Sequence, residues 1–389
     1  MQRVLFAWEH GGNFGHIARL GALADAVSAA GYVPVWALPA SHRDRPAFAR
    51  WPAERFAAPR LPPVQLREPA ASFGDILLSS GFGNAAALQG VVRQWLRLFE
   101  ASRAEAIVLD CAPTAQLAAH IAGIAALQLS NGFDAPPADC PLFGWGRRGL
   151  MVERAHRERL AGLERSIAQA AMQFGVRANL ESLLAHPTLA LDCVEETDPY
   201  GPRPGACRVG PLGAPPAPQA SDWPQAAECA PRVFVYLREG ELLRPTLQAL
   251  RARGANVLCV CPDAGTDLLG SPAPGLAVVR DPVPIERVLK EADAVVGYGS
   301  TTMVCQALLA GRPQMMLPTD VEKWLVSRRA AACGAGVVVR AASQLGNAVE
   351  EVLSPSLRQG ARLLAAKYAQ TPWRARLHDA LAAIGLHTA

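Results

Sequence analysis

The chain has 389 residues, a formal charge of +4, 50% hydrophobic and 19% charged residues. That length exceeds what one hydrophobic core usually supports, so two domains are expected, with enough apolar content for large buried sheets. The weak positive charge lacks the clustered basic and aromatic pattern of a nucleic-acid binder, arriving instead in pairs such as Arg147-Arg148 and Arg328-Arg329.

The N-terminus MQRVLFAWEHGG reads as a strand entering a turn, interrupted too soon by Glu9 and His10 to be a signal peptide. No apolar run reaches the roughly 18 residues of a transmembrane helix. Nine scattered cysteines without framework spacing point to a reduced, cytoplasmic protein.

Val4–Trp8 is the first predicted strand. Ile17, Leu20, Ala24, Val27 and Ala30 then recur at helical spacing until Gly31 closes the helix. Tyr32–Leu38 is the next strand, and Ala106–Asp110, a helix over Thr114–Ile124 and a strand over Ile124–Ser130 follow. Leu150–Phe174 is a long amphipathic helix. Between Pro199 and Pro224 the composition turns dense in proline and glycine and loses its period, as a domain linker does. A second alternating series has strands at Arg232–Leu237, Asn256–Pro262, Ala277–Arg280, Ala294–Gly299, Gln314–Leu317 and Gly336–Arg340. Helical stretches at Ser343–Leu353, Ser356–Tyr368 and Pro372–Ile384 end the chain. Alternation of this kind implies βαβ units in two doubly wound parallel-sheet domains. Ligands of such sheets bind beyond the carboxyl ends of the strands.

Three segments carry candidate chemistry. The first is the loop His10-Gly11-Gly12-Asn13-Phe14-Gly15-His16, where glycines let the backbone approach a ligand and His16 sits at the start of a helix. It lacks the G-x-G-x-x-G spacing of a dinucleotide site, and a histidine there also serves as an ordinary polar cap. The second is Asp110, at the end of AIVLD. It either orients His16 by accepting its other ring proton or caps the helix beginning near Thr114. The third is Gly297-Tyr298-Gly299-Ser300-Thr301-Thr302, whose backbone N–H groups and hydroxyls at a helix N-terminus suit a diphosphate without metal. No D-x-D pair, G-x-S-x-G elbow or phosphate-binding G-x-x-x-x-G-K-[ST] loop is present. Cys259 and Cys261, without a partner pair at zinc spacing, read as core residues, and Trp95 and Leu98 as packing.

These pieces in this order resemble the large glycosyltransferase family that includes macrolide, flavonoid and glucuronosyl transferases. GGNFGHIARLGALADAVSAAGY is similar to that family's G-H-x-x-P helix. ADAVVGYGSTTMVCQALLAGRPQMMLPTDVEKWLVSRRAAACGAGVVV is similar to its donor-binding stretch, and Arg208–Leu212 to its domain junction. The resemblance implies the GT-B architecture, two Rossmann-like domains facing across a cleft. It places an acceptor-binding domain at 1–205, a donor-binding domain at 206–370 with a linker around 199–224, and a last helix in 371–389 packing back on the first domain.

Residue by residue, the resemblance puts His16 at the catalytic base and Asp110 near its orienting acid. The acceptor-side loop is Gly12, Asn13, Phe14 and Gly15. Tyr298 replaces a diphosphate-contacting histidine, Gly299 is retained, Ser300 replaces a second glycine, Thr301 follows, and Thr302 matches a phosphate-binding hydroxyl. Gln306 stands where a glutamate grips the ribose, Glu322-Lys323 replace an Asp-Gln pair that holds sugar hydroxyls, and Arg19 replaces the motif's proline. Arg238, at the end of Tyr236-Leu237-Arg238, is a further candidate for the diphosphate.

The expected activity is inverting, metal-independent transfer of a sugar from a UDP- or dTDP-sugar co-substrate to a hydroxyl of a small-molecule or lipid acceptor, with no other cofactor. A non-catalytic homologue that binds a nucleotide or partner protein and a nucleotide-sugar epimerase are the alternatives. Acceptor choice is expected in the loops Arg60–Gln89 and Ala135–Gly149. Their Phe73, Ile76, Leu77, Leu78, Phe82, Phe143 and Trp145 suit a hydrophobic acceptor or ordinary packing equally. Trp145–Leu150 is also the one segment offered for peripheral membrane contact.

Overall fold

The computed structural model describes residues 2–11, 14–43, 48, 51, 54–144, 150–185, 188–213, 223–224, 229–269 and 274–388. The chain divides into two compact units. One comprises Met1–Asp192, Pro204–Gly213 and Pro372–Ala389, the other Cys193–Arg203 and Ala214–Thr371. The chain's end, 372–389, falls in the first unit, and the expected break near 205 is interleaved, with Cys193–Arg203 in the second unit and Pro204–Gly213 in the first.

The first unit is built on a seven-stranded sheet in the order β3-β2-β1-β4-β5-β6-β7. Its strands are β1 (Arg3–Trp8), β2 (Val33–Leu38), β3 (Arg55–Ala57), β4 (Ala104–Asp110), β5 (Ala126–Ser130), β6 (Thr188–Leu191) and β7 (Cys207–Arg208). All pairings are parallel. Buried runs such as RVLFAW and AEAIVLD therefore need no polar alternation, because helices cover both faces. One core joins Val4, Phe6 and Trp8 of β1 to Trp36 and Leu38 of β2 and to Leu20, Leu23 and Val27 of the helix Phe14–Ala29. The C-terminal helix Trp373–Ala382 adds Leu377, Ala380 and Leu381 to that same core, followed by Ile384 and Leu386.

The second unit has a six-stranded parallel sheet in the order β10-β9-β8-β11-β12-β13. Its strands are β8 (Arg232–Tyr236), β9 (Asn256–Val260), β10 (Leu276–Val279), β11 (Ala294–Gly297), β12 (Gln314–Met316) and β13 (Gly336–Val338). Both sheets reverse their order once, between β1 and β4 and between β8 and β11. Doubly wound sheets bind ligands beyond the strand ends at such a reversal.

Two expectations change. The stretch read wholly as linker contains β7, paired to β6, with Val209 and Leu212 in the first unit's core; its residues 214–222 lie outside the described ones. The stretch read as a variable loop at 60–89 is helical in its second half, with Phe73–Leu77, a π-helical turn at Leu78–Phe82 and the start of the helix Ala85–Ser102. Phe73, Leu77, Phe82 and Phe143 are buried, so packing accounts for them. Trp145 and residues 146–149 lie outside the described residues. Cys259, Cys261, Trp95 and Leu98 are core residues as read. Among the described residues, no helix is long and apolar enough to cross a membrane.

Candidate active site

The register of the first sheet places Trp8 opposite Asp110, so the two chains leave β1 and β4 side by side. His10 N–H donates to the Cys111 carbonyl at 3.1 Å and ties the two loops together. Beyond them His16, in the first turn of Phe14–Ala29, turns its ring toward Asp110. Its Nδ1 lies 3.1 Å from each Asp110 carboxylate oxygen.

The ring stacks on Trp8, with centroids 4.9 Å apart and planes at 23°. On its other edge, Gly11 has φ +99°, and a Cβ there would fall 2.4 Å from His16 Nε2. Glycine is required at 11 on both counts. Gly15 borders open space, the Phe14 backbone starts the helix, and Gly12 and Asn13 lie outside the described residues.

Asp110 is fully buried and does not cap the helix Pro113–Ala122, whose N-cap Ala112 makes no side-chain bond. Glu9 does that work, its Oε1 accepting the Ala115 N–H at 2.7 Å. The main partner of Asp110 is instead Arg19, one helical turn beyond His16 and 5% exposed. Arg19 Nε donates to Oδ2 at 2.8 Å and Nη2 donates to Oδ1. The same Nη2 lies 2.9 Å from His16 Nδ1.

Burial pushes the Asp110 carboxyl up, but the charges of Arg19 and then His16 outweigh it and hold Asp110 below its ordinary range. Two further buried acids, Asp134 and Asp192, are raised by burial against the pull of Arg19, Asp192 to about 7. Burial also raises Glu9 to about 8 and lowers His10 to about 4. Arg19, Glu9 and the Trp8 platform were not recognised as a site in the sequence. The signals for them were an arginine in a helix's apolar neighbourhood and a glutamate ending an apolar strand.

In the second unit, β11 leads through Tyr298 and Gly299 into the helix Thr301–Leu309. Gly299 has φ +80°, and a Cβ there would meet Ser327 Oγ at 2.2 Å. Ser300 is the N-cap but makes no side-chain capping bond. Thr301 Oγ1 and Ser327 Oγ are buried without a hydrogen-bond partner, and Thr302 and Gln306 are half-buried farther along the helix.

Tyr298 packs on Tyr236, centroids 5.3 Å apart, and burial followed by the Tyr236 phenol pushes its hydroxyl pKa up. Lys323 Nζ sits 5.4 Å from the Tyr298 ring centroid and pairs with Asp320, the N-cap of Val321–Ala332. Glu322 is half-buried beside it. Arg238 is 60% exposed, 3.8 Å from Asp263, and near enough for its charge to act on the Tyr298 phenol. The predicted donor residues Arg238, Tyr298, Gly299, Ser300, Thr301 and Lys323 thus gather at the carboxyl end of β11. The catalytic candidates gather within the first unit. Among the described residues, no group of three His, Cys, Asp or Glu side chains is arranged to hold a metal.

Residues 245–384 match the family model described as "Erythromycin biosynthesis protein CIII-like, C-terminal domain". Demethyllactenocin mycarosyltransferase of Streptomyces fradiae is 33% identical over 132 residues, 32% of this chain and 28% of that protein. The calicheamicin glycosyltransferase CalG4 superposes with a TM-score of 0.74 at 18% identity, covering 98% of each chain. The glycosyltransferase SnogD of Streptomyces nogalater gives 0.66 at 18% identity, covering 98% of this chain and 99% of its own. The spinosyn rhamnosyltransferase SpnG, solved with thymidine diphosphate, gives 0.66 at 18% identity, covering 95% and 96%. The chain has the GT-B fold, and its resemblance to the glycosyltransferases that include macrolide-modifying ones is borne out.

Proposed function

We propose that this chain is a cytoplasmic glycosyltransferase that moves a sugar from a nucleoside diphosphate donor to an acceptor hydroxyl, with inversion and without a metal. The observation that carries this reading is the contact of His16 with Asp110 beyond the first sheet's order reversal. With its Nδ1–H donated to Asp110, His16 presents a lone pair at Nε2 that takes the acceptor's proton. The freed oxygen attacks the anomeric carbon opposite the departing diphosphate, which inverts the configuration. Charge growing on the diphosphate meets the amide N–H groups of the helix starting at Thr301. The unpartnered hydroxyls of Thr301 and Ser327, with Lys323 and Arg238, add to that polar surface. Thr302, Gln306 and Glu322 complete the donor side. The neighbour solved with thymidine diphosphate makes dTDP the first nucleotide to try, with UDP second.

A thermal-shift series with dTDP, UDP and GDP, without added metal, tests the donor site. A nucleotide at about 100 times its dissociation constant adds about 2.7 kcal/mol of stability. Selective stabilisation that disappears in Thr302→Val and Gln306→Ala supports the site, and no response from folded protein rejects it. For the chemistry, His16→Ala should lower turnover about 10²–10⁴-fold while leaving donor binding intact. Undiminished turnover removes His16 from the mechanism.

Arg19 favours a second reading, a nucleotide-binding but non-catalytic homologue, because it engages the carboxylate that His16 would need. Sugar transfer to any acceptor excludes that reading.

A further inference from the structure

A fully buried carboxylate requires countercharge and hydrogen bonds. Arg19 gives Asp110 both, bonding one oxygen through Nε and the other through Nη2. Nη2 keeps a second hydrogen, and it lies 2.9 Å from His16 Nδ1. A guanidinium nitrogen only donates, and an ionised carboxylate only accepts. One Nδ1 therefore cannot serve both neighbours. Bonded to Asp110 it must carry a proton, and bonded to Arg19 it must not.

Three observations favour Arg19. Its approach is the shorter, 2.9 Å against 3.1 Å to each oxygen. Asp110 already has a donor on both oxygens. A proton on Nδ1 would also point at a cationic N–H.

We infer that Arg19 is a positioning residue that holds resting His16 with its proton on Nε2 and its Nδ1 lone pair turned to the guanidinium. In this tautomer His16 donates through Nε2 and has no lone pair there to receive a proton. It becomes the base when Nδ1 exchanges Arg19 for Asp110. That exchange moves one proton from Nε2 to Nδ1 through solvent, which reaches the 16% exposed side chain, and leaves every charge unchanged.

A further acid lies within electrostatic range of the guanidinium. Asp192 Oδ2 is buried without a hydrogen-bond partner, and the charges of Asp192 and Arg19 act on each other. The consequence for turnover rests on the reading of His16 as the base; the tautomer itself does not.

The test is a long-range ¹H–¹⁵N correlation spectrum of the full chain labelled at histidine, at about pH 8, where an ordinary imidazole is neutral. His16→Gln assigns the signals by their loss. The expected spectrum shows Nδ1 unprotonated and Nε2 protonated. In Arg19→Leu, Nδ1 faces only Asp110 and should become protonated. A protonated Nδ1 in the unsubstituted protein, as tautomer or imidazolium, overturns the inference. So does an unprotonated Nδ1 in folded Arg19→Leu. If Arg19→Leu does not fold, the spectrum of the unsubstituted protein decides alone. Undiminished transfer by His16→Ala would sink the base reading and leave this spectrum untouched.

Discussion

Substituting alanine for Gly11 places a methyl group where the loop after β1 turns against His16. Gly11 has φ +99°, so an L side chain there costs roughly 1–2 kcal/mol in backbone terms. The steric cost falls on a particular ring, because the new Cβ would stand 2.4 Å from His16 Nε2, 3.0 Å from Cδ2 and 3.1 Å from Cε1. Ordinary contact begins near 3.4 Å, so the ring must retreat by about 1 Å, from its Trp8 platform and its place beside Asp110. A displacement of that size at a reacting group costs about 10²-fold. The assay is donor-dependent transfer with kcat and KM separated, alongside thermal melting. The expected loss is in kcat, with KM for the donor unchanged because Gly11 lies in the other unit. Gly31→Ala is the control. It has φ +86° but nothing within 4 Å of its Cβ, so it shares the backbone cost and moves no ring. Both variants should melt a few degrees lower. Full turnover in Gly11→Ala, or an equal loss in Gly31→Ala, would refute the reasoning.

Glu9 gives the protein a pH dependence of definite sign. Its folded value is raised to about 8 from 4.5, so between those values the folded state holds a proton the unfolded chain has released. Stability present at low pH is therefore lost as pH rises through that window, by at most about 1.4 kcal/mol per pH unit. Glu9→Gln keeps an oxygen for the Ala115 N–H and should flatten the curve of melting temperature against pH; parallel curves for the two proteins would contradict this. Gly299→Ala should weaken nucleotide binding, since its Cβ meets Ser327 Oγ, and adding Ser327→Ala should restore part of the loss at little cost, because that hydroxyl has no partner. A double variant no better than the single one would show that φ +80° alone sets the damage. Leu377→Ala should cost about 2–5 kcal/mol and lower the melting of the first unit, as removal of a core side chain does.

The two parallel sheets were legible because their strands are short apolar runs between helical periods, which only a sheet covered on both faces explains. β3, β6 and β7 were not, since three, four and two residues carry no period. β7 also lies inside a proline- and glycine-rich stretch whose composition says linker. The C-terminal helix could be read as a helix from its period, but its return to the first domain's core came from the resemblance, since periodicity tells which face is apolar and not which core receives it. His16 was visible at a helix start and Asp110 at a strand end. Their meeting, across 94 positions, was one of two readings of Asp110, favoured by the resemblance, and is enforced in space by the register of β1 on β4. Arg19 was visible only as a departure from the motif's proline. A helical arginine usually lies in water, and this one is buried against Asp110 and within electrostatic range of Asp134 and Asp192, acids at or beyond the ends of three different strands that no local pattern brings together.

Buried polar atoms without a hydrogen-bond partner are spread over both units, and some of them stand beside the two sheet reversals. A buried polar atom without a partner costs roughly 1–3 kcal/mol. In the first unit, Glu9 Oε2, His10 Nε2 and Asp192 Oδ2 are such atoms, and each follows or ends at a strand's carboxyl end. In the second, Thr301 Oγ1 and Ser327 Oγ flank the turn that leaves β11. Gly299 supplies the close approach there and Gly11 supplies it here, each at positive φ and each with no room for a methyl group. The same device thus appears twice on two parallel sheets: a tight glycine turn, a helix beginning behind it, and buried polar atoms beside it. One set surrounds a histidine and a carboxylate that can move a proton, the other a helix terminus that can hold a diphosphate. A protein that only bound nucleotide would need the second set and have no use for the first.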